Sequence, residues 1–146
     1  MKHLPILCLL MAAGLSGARA QNLDRLEIDT ASGPHVFFVE IANTEQTREL
    51  GLMNRHFMPA DRGMLFEFPT EEPVAFWMEN TFIPLDMIFI RHDGIVVSIA
   101  ANAEPLSETA IPSGAPANGV LELNGGIAAS IGLRSGDKVR HAYFKP

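Results

Sequence analysis

Apolar and polar residues alternate, or apolar residues run together, in short stretches separated by turn residues. Residues 23–30 alternate between apolar and polar side chains, and residues 35–41 are rich in β-branched and aromatic ones. The two stretches flank a Ser32-Gly33-Pro34 turn, which predicts a β-hairpin. Short strands joined by turns are typical of antiparallel β structure. The same patterns predict further strands over residues 64–68, 74–78, 85–90, 95–100, 120–123 and 138–144.

Two short helices are predicted between these strands. One covers residues 44–50, with Asn43 as its N-cap and Gly51 at its end, and the other covers residues 127–131. A doubly wound α/β sheet would need a helix between most pairs of strands. The sequence therefore predicts a mainly β fold, a single-domain antiparallel β-sandwich or partly closed barrel of about eight short strands with two short helices.

The stretch FWMENTFIPLDMIFI, residues 76–90, breaks its apolar run with polar residues around Asn80 and with Pro84. Proline has no N–H to donate to a sheet, so this break predicts a polar corner between two strands. Asp86 follows the corner inside an otherwise apolar strand. A buried acid needs partners, because leaving it unpaired costs roughly 1–3 kcal/mol or more.

An Asp93-Gly94 pair between two apolar runs predicts a two-residue hairpin turn, since both positions of that turn require positive φ. This turn would put Asp86 near the open end of the hairpin, beside the polar corner. The predicted cross-strand pairs are His92 with Ile95, Ile90 with Val97, and Ile88 with Ile99.

Prolines mark the remaining breaks. Pro69 and Pro73 are expected to separate two strands, because proline interrupts the sheet ladder. Residues 103–118 contain three prolines and no hydrophobic period, so they are expected to form an extended loop or an irregular edge strand.

The first twenty residues have the features of a signal peptide: a basic start, an apolar core too short to span a bilayer, and an Ala18-Arg19-Ala20 cleavage pattern. The expected organisation is a cleaved segment over residues 1–20 and one β domain over residues 21–146. The mature protein would be periplasmic or secreted, with no stable membrane anchor. Its only cysteine, Cys8, would be removed, so disulfides and thiol chemistry are excluded.

The acidic balance argues against nucleic acid as a partner. The formal net charge is −6, and loss of Lys2 and Arg19 with the signal would make it −8. Binding to nucleic acid depends on Lys and Arg contacts to phosphates.

Motifs for catalysis or for metal binding are missing from the sequence. The histidines after the signal segment lie in separate predicted elements, and no Gly-x-Ser-x-Gly motif occurs. We therefore predict no metal and no cofactor. The methionines near the central strands are interpreted as core residues; they are Met53, Met58, Met64, Met78 and Met87.

The polar corner has two interpretations. In the structural one, Asn80 and Thr81 cap the corner, Asp86 accepts backbone hydrogen bonds and Trp77 fills the core. In the functional one, the corner forms a pocket with an aromatic wall and convergent polar groups, in which Asp86 could pair with Arg55. The predicted ligand-binding residues are Arg55, Trp77, Asn80, Thr81, Asp86 and Glu122.

Six ordered motifs resemble a bacterial and archaeal family known as domain of unknown function 192. They are GLMNR at 51–55, GMLFEF at 63–68, residues 76–90, the Asp93-Gly94 hairpin, VLELNGG at 120–126 and GLRSGD at 132–137. The resemblance covers residues 24–144 and implies a compact, mainly β, single-domain and often exported protein without an assigned activity. The family pattern has a cysteine after Pro105, where this chain has Leu106.

Three hypotheses of function follow. The first is a non-catalytic module that binds a small polar ligand or an envelope protein around the polar corner. The second is a hydrolase of a polar cell-envelope substrate that uses Asp86 with Glu79 or Glu122 as a second carboxylate. An Asp86 side chain that is closed to solvent and bonded to backbone N–H groups would weaken these two. The third is a subunit-interaction module, which would show as an exposed apolar patch on the order of several hundred Å² or more around residues 103–118.

Overall fold

One seven-stranded sheet, strongly curled into a half-barrel, forms the body of the protein. The computed structural model describes residues 22–145. The predicted signal segment, residues 1–20, lies outside the described residues. The strand order is β5-β4-β6-β3-β2-β1-β7. The elements are β1 (Asp24–Thr30), β2 (Gly33–Ala42), α1 (Glu45–Leu50), β3 (Arg62–Phe76), β4 (Leu85–Ile90), β5 (Val96–Ala103), β6 (Ile111–Asn124), α2 (Ile127–Ser130) and β7 (Lys138–Arg140).

The predicted mainly β class and curled sheet are confirmed. The sheet is mixed, because β2 and β3 pair in parallel while the other strand pairs are antiparallel. A parallel pair needs a crossover connection rather than a tight turn, and the segment with α1 supplies it.

Alternating side chains of the central strands divide the core into two clusters. In β4, Ile88 and Ile90 pack with one cluster, whereas Met87 and Phe89 pack with the other. Successive residues of a strand point to opposite faces, so the sheet is covered on both sides. Four of the five methionines interpreted as core residues are buried in the second cluster, namely Met58, Met64, Met78 and Met87.

The prolines do not end strands where expected. Strand β3 continues through Pro69 and Pro73, and the segment expected to be a loop forms β6 from Ile111 onward. The ladder between β3 and β6 shifts register between Glu67 and Glu72 and again after Pro73. Prolines are tolerated in strands at such irregular positions, where no ladder hydrogen bond is required.

Two local details also differ from the prediction. Thr44, not Asn43, is the N-cap of α1: its hydroxyl accepts from the Thr47 N–H, and the Thr47 hydroxyl accepts from the Thr44 N–H. In the β4–β5 hairpin, Ile88 pairs with Ile99 as predicted, but a bulge pairs Ile90 with Val96.

The two ends of the sheet meet at the Asp93-Gly94 turn. An isolated bridge joins Ile95 to Lys138 at the start of β7, and the Val139 N–H donates to the Gly94 carbonyl at 2.8 Å. This contact draws the first residues of β5 towards β7, and it accounts for the half-barrel shape. No helix within residues 22–145 is long and apolar enough to cross a membrane.

Candidate functional site

Asp86 is fully buried and held by backbone groups. Its Oδ1 accepts from the N–H groups of Asn102 (2.8 Å) and Gly126 (3.1 Å), and its Oδ2 accepts from the N–H of Ala128 (2.7 Å). The side chain has no exposed surface. Asp86 therefore ties the end of β5 and the start of α2 to β4, as its structural interpretation requires.

The polar corner is a compact turn. Asn80 adopts a φ of 51° and its carbonyl accepts from the Asn54 N–H at 2.8 Å. The Thr81 hydroxyl is buried and donates to the Glu79 carbonyl at 3.1 Å. Trp77 does not fill the core as its structural interpretation expects, because 51% of it is exposed.

Arg55 is engaged elsewhere. Its guanidinium forms a bidentate pair with Glu40, at 2.5 Å and 2.8 Å, and does not reach Asp86. The hydrogen bond that Arg55 donates to Glu40 raises the pKa of Arg55. Arg55 and Glu40 line a separate shallow depression next to Phe57 and Arg62.

Three of the predicted residues do come together in a different place. Trp77, Thr81 and Glu122 line a cleft of about 460 Å³, which we call the α1 cleft because the last turn of α1 forms one of its walls. Its volume lies within the range of small-molecule sites. The other lining residues are Arg48, Glu49, Leu50, Gly51, Leu52, Met53, Phe66, Phe68, Ala75 and Phe76.

The strand that carries Glu122 positions its side chain at the bottom of the α1 cleft. Glu122 pairs across the sheet with Met64 of β3 on one side and with Met87 of β4 on the other, and both methionines are buried. Glu122 itself is 4% exposed. Glu122 is nevertheless one of the residues that line the cleft, between the two buried methionines.

Burial raises the pKa of Glu122 to about 8. Burial is the single cause of this shift, and no hydrogen bond or charge within residues 22–145 offsets it. The carboxyl of Glu122 therefore keeps its proton to a higher pH than the carboxyl of an exposed glutamate. It offers one O–H donor and one carbonyl acceptor to whatever enters the cleft.

Aromatic rings build the apolar walls of the cleft. Phe76 packs edge to face against Phe66 and Phe68, with ring centroids 5.0 Å and 6.2 Å away. The Arg48 guanidinium lies 5.3 Å over the Phe68 ring and donates to the carbonyls of Asn43 and Glu67, both at 2.9 Å. The walls are therefore fixed by packing and by hydrogen bonds of their own.

Sequence reasoning missed the contribution of α1 and of the phenylalanines. Phe66, Phe68 and Phe76 have the alternation of ordinary core residues, and nothing in the sequence indicates that β3 brings them to an opening. Gly51 is the one signal of this wall in the sequence: its φ is 47°, and a Cβ at this position would lie 3.2 Å from the Phe66 ring, so the position favours a residue without a side chain. In residues 22–145, no three His, Cys, Asp or Glu side chains form a group that could hold a metal ion.

The curled sheet and its aromatic cleft define a small, mainly β domain in which a buried acid lines an apolar cleft. The chain belongs to the family of domain of unknown function 192, described as "Uncharacterized ACR", whose model matches residues 27–141. This confirms the resemblance inferred from the six motifs. No curated protein matches the chain.

Two solved structures are similar over most of the chain. One, from Sinorhizobium meliloti, is of a protein proposed to be a transcription regulator; it is 45% identical, with a TM-score of 0.79, and the match covers 81% of this chain and 92% of that one. The other, from Novosphingobium aromaticivorans, is of a protein of unknown function; it is 43% identical, with a TM-score of 0.79, over 82% of this chain and 85% of that one.

Proposed function

We propose that this protein is a non-catalytic binding domain and that the α1 cleft is its ligand site. The observation that carries the proposal is Glu122, which is only 4% exposed, lines an aromatic cleft and has no charge or hydrogen bond within residues 22–145 that offsets its burial. Withdrawing a carboxyl from bulk water without a fixed partner is costly, and a ligand that hydrogen-bonds to it recovers part of that cost. Asp86 is closed to solvent and bonded to backbone N–H groups, so neither the binding nor the hydrolase hypothesis can be centred on it. The binding hypothesis keeps a site in the α1 cleft, whereas the hydrolase hypothesis loses the first of its two carboxylates.

The chemistry of the cleft selects the class of ligand. Its walls are mainly aromatic and aliphatic, so the body of the ligand is apolar. A neutral carboxyl that both donates and accepts matches an amide, which has a carbonyl and an N–H side by side. The ligand is therefore an apolar group that carries an amide.

Three compounds of one shape test this ligand class. Benzamide is neutral, benzoate is an anion and benzylamine is a cation. Trp77 is the only tryptophan of the chain and lines the cleft, so its fluorescence reports binding directly. We expect benzamide to bind at pH 7 and the two charged compounds to bind at least about tenfold more weakly, because an apolar cleft penalises charge.

Variants of Glu122 identify its role. Glu122→Leu should weaken benzamide binding by about tenfold through loss of the hydrogen bonds. Glu122→Gln keeps a donor and an acceptor and should retain binding. Wild-type affinity should fall as the pH rises through about 8, where Glu122 ionises, and the Gln variant should show no such fall. Arg48 and Glu49 are the other charged residues that line the cleft. The control variant is Glu72→Gln, at an exposed glutamate outside the cleft, and it should bind benzamide as the wild type does.

Equal binding of benzoate or benzylamine, or unchanged benzamide binding by Glu122→Leu, would overturn the proposal. Native mass spectrometry of protein purified from its own cells addresses the natural ligand. A small molecule that is retained by the wild type and lost from Glu122→Leu would support the same site.

We also propose that the protein is exported and that residues 1–20 are removed. The support is the signal-peptide pattern that ends at Ala18-Arg19-Ala20. The intact mass of the protein from a periplasmic extract should correspond to a chain that starts at Gln21. A full-length mass, or recovery in the cytoplasmic fraction alone, would contradict export.

A further inference from the structure

Exposed hydrophobic side chains concentrate in three segments that adjoin the α1 cleft, residues 48–57, 77–82 and 104–108, which together we call the rim. Leu50 and Trp77 line the cleft itself, and Phe57 lines the separate depression beside Arg55. Five of the seven large hydrophobic residues that are exposed within residues 22–145 belong to the rim. They are Leu50 (57% exposed), Phe57 (76%), Trp77 (51%), Phe82 (41%) and Leu106 (54%).

Backbone hydrogen bonds hold the rim segments together. The Asn54 N–H donates to the Asn80 carbonyl at 2.8 Å, which joins the first segment to the second. The Leu106 N–H donates to the Thr81 carbonyl at 3.1 Å, which joins the second to the third. Phe82 also stacks on His56, with ring centroids 4.6 Å apart. The exposed side chains are therefore presented on a fixed scaffold, as in a preorganised binding surface.

The rim is acidic. It contains four glutamates, Glu49, Glu79, Glu104 and Glu108, and two arginines. One arginine, Arg55, is neutralised by Glu40 from outside the rim. The other, Arg48, keeps its positive charge while it donates to two backbone carbonyls and lies over the Phe68 ring, so four glutamates face one uncompensated arginine. Carboxylates therefore dominate the charge around the exposed hydrophobic residues.

We propose that the rim docks an extended peptide segment of a partner protein, in which apolar side chains are flanked by Lys or Arg. The inference rests on the proposed function, since an apolar side chain of the peptide enters the α1 cleft. Its basic residues face the glutamates of the rim. Apolar anchors surrounded by complementary charge are the usual composition of a specific interface.

The charge of the rim separates this occupant from two others. A second copy of the chain in a twofold contact would bring the same glutamates against each other, and like charges oppose association. An anionic membrane surface would repel the glutamates in the same way. A basic peptide satisfies both the apolar and the acidic part of the surface.

Four labelled peptides of equal length test the proposal by fluorescence anisotropy. The probe is Gly-Ser-Lys-Leu-Phe-Lys-Gly-Ser with an N-terminal fluorescein. In the first two controls, Glu replaces both Lys residues, or Ser replaces Leu and Phe; the third carries both changes. We expect the probe to bind at least about tenfold more tightly than any control, and its affinity to fall as salt is raised.

Paired variants locate the binding surface. Phe82→Ser with Leu106→Ser, and separately Glu79→Lys with Glu104→Lys, should each weaken probe binding by about tenfold or more. The matched controls are Val36→Ser, an exposed apolar residue of β2, and Glu72→Lys, an exposed acid of β3. Both controls should bind as the wild type does, and circular dichroism should show that all variants are folded.

Several outcomes would overturn the proposal. The first two are equal binding of the probe and the Glu-substituted peptide, and probe binding that neither paired variant weakens. The third is a dimer of the wild type in sedimentation that the paired variants dissociate. The fourth is co-sedimentation of the wild type with phosphatidylglycerol vesicles that the paired variants abolish. Benzamide binding reports on the cleft alone. If benzamide binds and the probe does not, the rim inference is rejected and the proposed function stands. If the probe binds and benzamide does not, the α1 cleft is rejected as the ligand site, while binding of the peptide by the rim stands.

Discussion

Two buried acids of neighbouring strands have opposite surroundings. Asp86 of β4 accepts three backbone hydrogen bonds, and Glu122 of β6 has burial as the only influence on its pKa. Asp86 pairs with Leu123, the residue that follows Glu122 in the chain. Because neighbouring residues of a strand face opposite sides of the sheet, one acid supports the fold while the other faces the cleft.

Glu122 should make stability depend on pH. Its pKa is 4.5 in the ordinary case and about 8 in the folded protein, so its neutral form stabilises the fold fully below about pH 4.5. This stability is lost as the pH rises to about 8, at up to ~1.4 kcal/mol per pH unit. Glu122→Gln should therefore gain stability over the wild type between about pH 5 and pH 8, as measured by urea unfolding. Parallel plots of unfolding free energy against pH for Glu122→Gln and the wild type would contradict this expectation. The control is Glu72→Gln, whose plot should follow that of the wild type.

Removal of the Asp86 carboxylate should destabilise the protein strongly. Asp86→Ala leaves the N–H groups of Asn102, Gly126 and Ala128 buried or half-buried without their acceptor, which should cost on the order of 3–5 kcal/mol. Asp86→Asn should have a stability between those of the alanine variant and the wild type. Its amide oxygen can still accept a hydrogen bond, but its amide nitrogen faces N–H donors. Thermal unfolding measures both. A melting temperature of Asp86→Ala close to that of the wild type would show that the main role of Asp86 is not structural. Asp61→Asn, a substitution of an exposed acid, is the control and should leave the melting temperature unchanged.

The sequence singles out Asp86 as the unusual acid and offers Glu122 only as a further candidate, without the reason for its burial. Asp86 stands out because it interrupts an apolar run. Glu122 lies between Leu121 and Leu123, the ordinary alternation of a strand with one solvated face. In the structure, the face of β6 that carries Glu122 is buried, because β6 pairs with β3 on one side and with β4 on the other. These strands are far apart in the sequence, so local patterns do not reveal that this face is buried.

Among the elements, the turn at Asp93-Gly94 has the largest effect on the shape of the sheet. It connects β4 to β5 and also accepts the start of β7. Arg91 pairs with Asp93 at 2.6 Å, and this hydrogen bond lowers the pKa of Asp93 to about 2. The Asp93 carboxylate also accepts from the Ile95 N–H at 3.1 Å, which fixes the turn from inside.

Gly94→Ala should weaken this junction. Gly94 has a φ of +82°, and a Cβ there would lie 2.4 Å from the Val139 carbonyl oxygen. We expect a loss of ~3 kcal/mol in the free energy of unfolding. Gly136→Ala is the matched control: its φ is +95° but the space around it is open, so it should lose only ~1 kcal/mol. Equal losses in chemical denaturation would show that the contact with β7 does not matter.

The hairpins were predictable because their signals are local. The Asp93-Gly94 and Ser32-Gly33-Pro34 turns each specify a connection within a few residues. The long β3–β6 pair was not predictable, because its prolines fall at register shifts that exist only once the two strands meet. The parallel pairing of β2 with β3 was missed for a similar reason, since it is set by the crossover through α1.

For the whole molecule, charge is the property that limits its partners. The formal net charge is −6, and a solved relative is proposed to be a transcription regulator. A protein that contacts DNA directly needs a basic surface. This chain has more acids than bases overall, and its rim is acidic too.

We therefore expect no binding to a duplex of about 20 base pairs at about 0.1 M salt. Fluorescence anisotropy of a labelled duplex measures this, with a basic DNA-binding domain as the positive control. Saturable binding that weakens as salt is raised would contradict the expectation and would point to a basic surface formed by a partner or by an assembly.

The bridge between Ile95 and Lys138 has a consequence for how the protein behaves in concentrated solution. An open sheet exposes unpaired N–H and C=O groups along its outer strands, and these groups recruit strands from other molecules. Here the outermost strand β7 is three residues long, carries Lys138 and Arg140, and meets the opposite end of the same sheet. Curling thus protects the chain against edge-to-edge aggregation without a complete barrel.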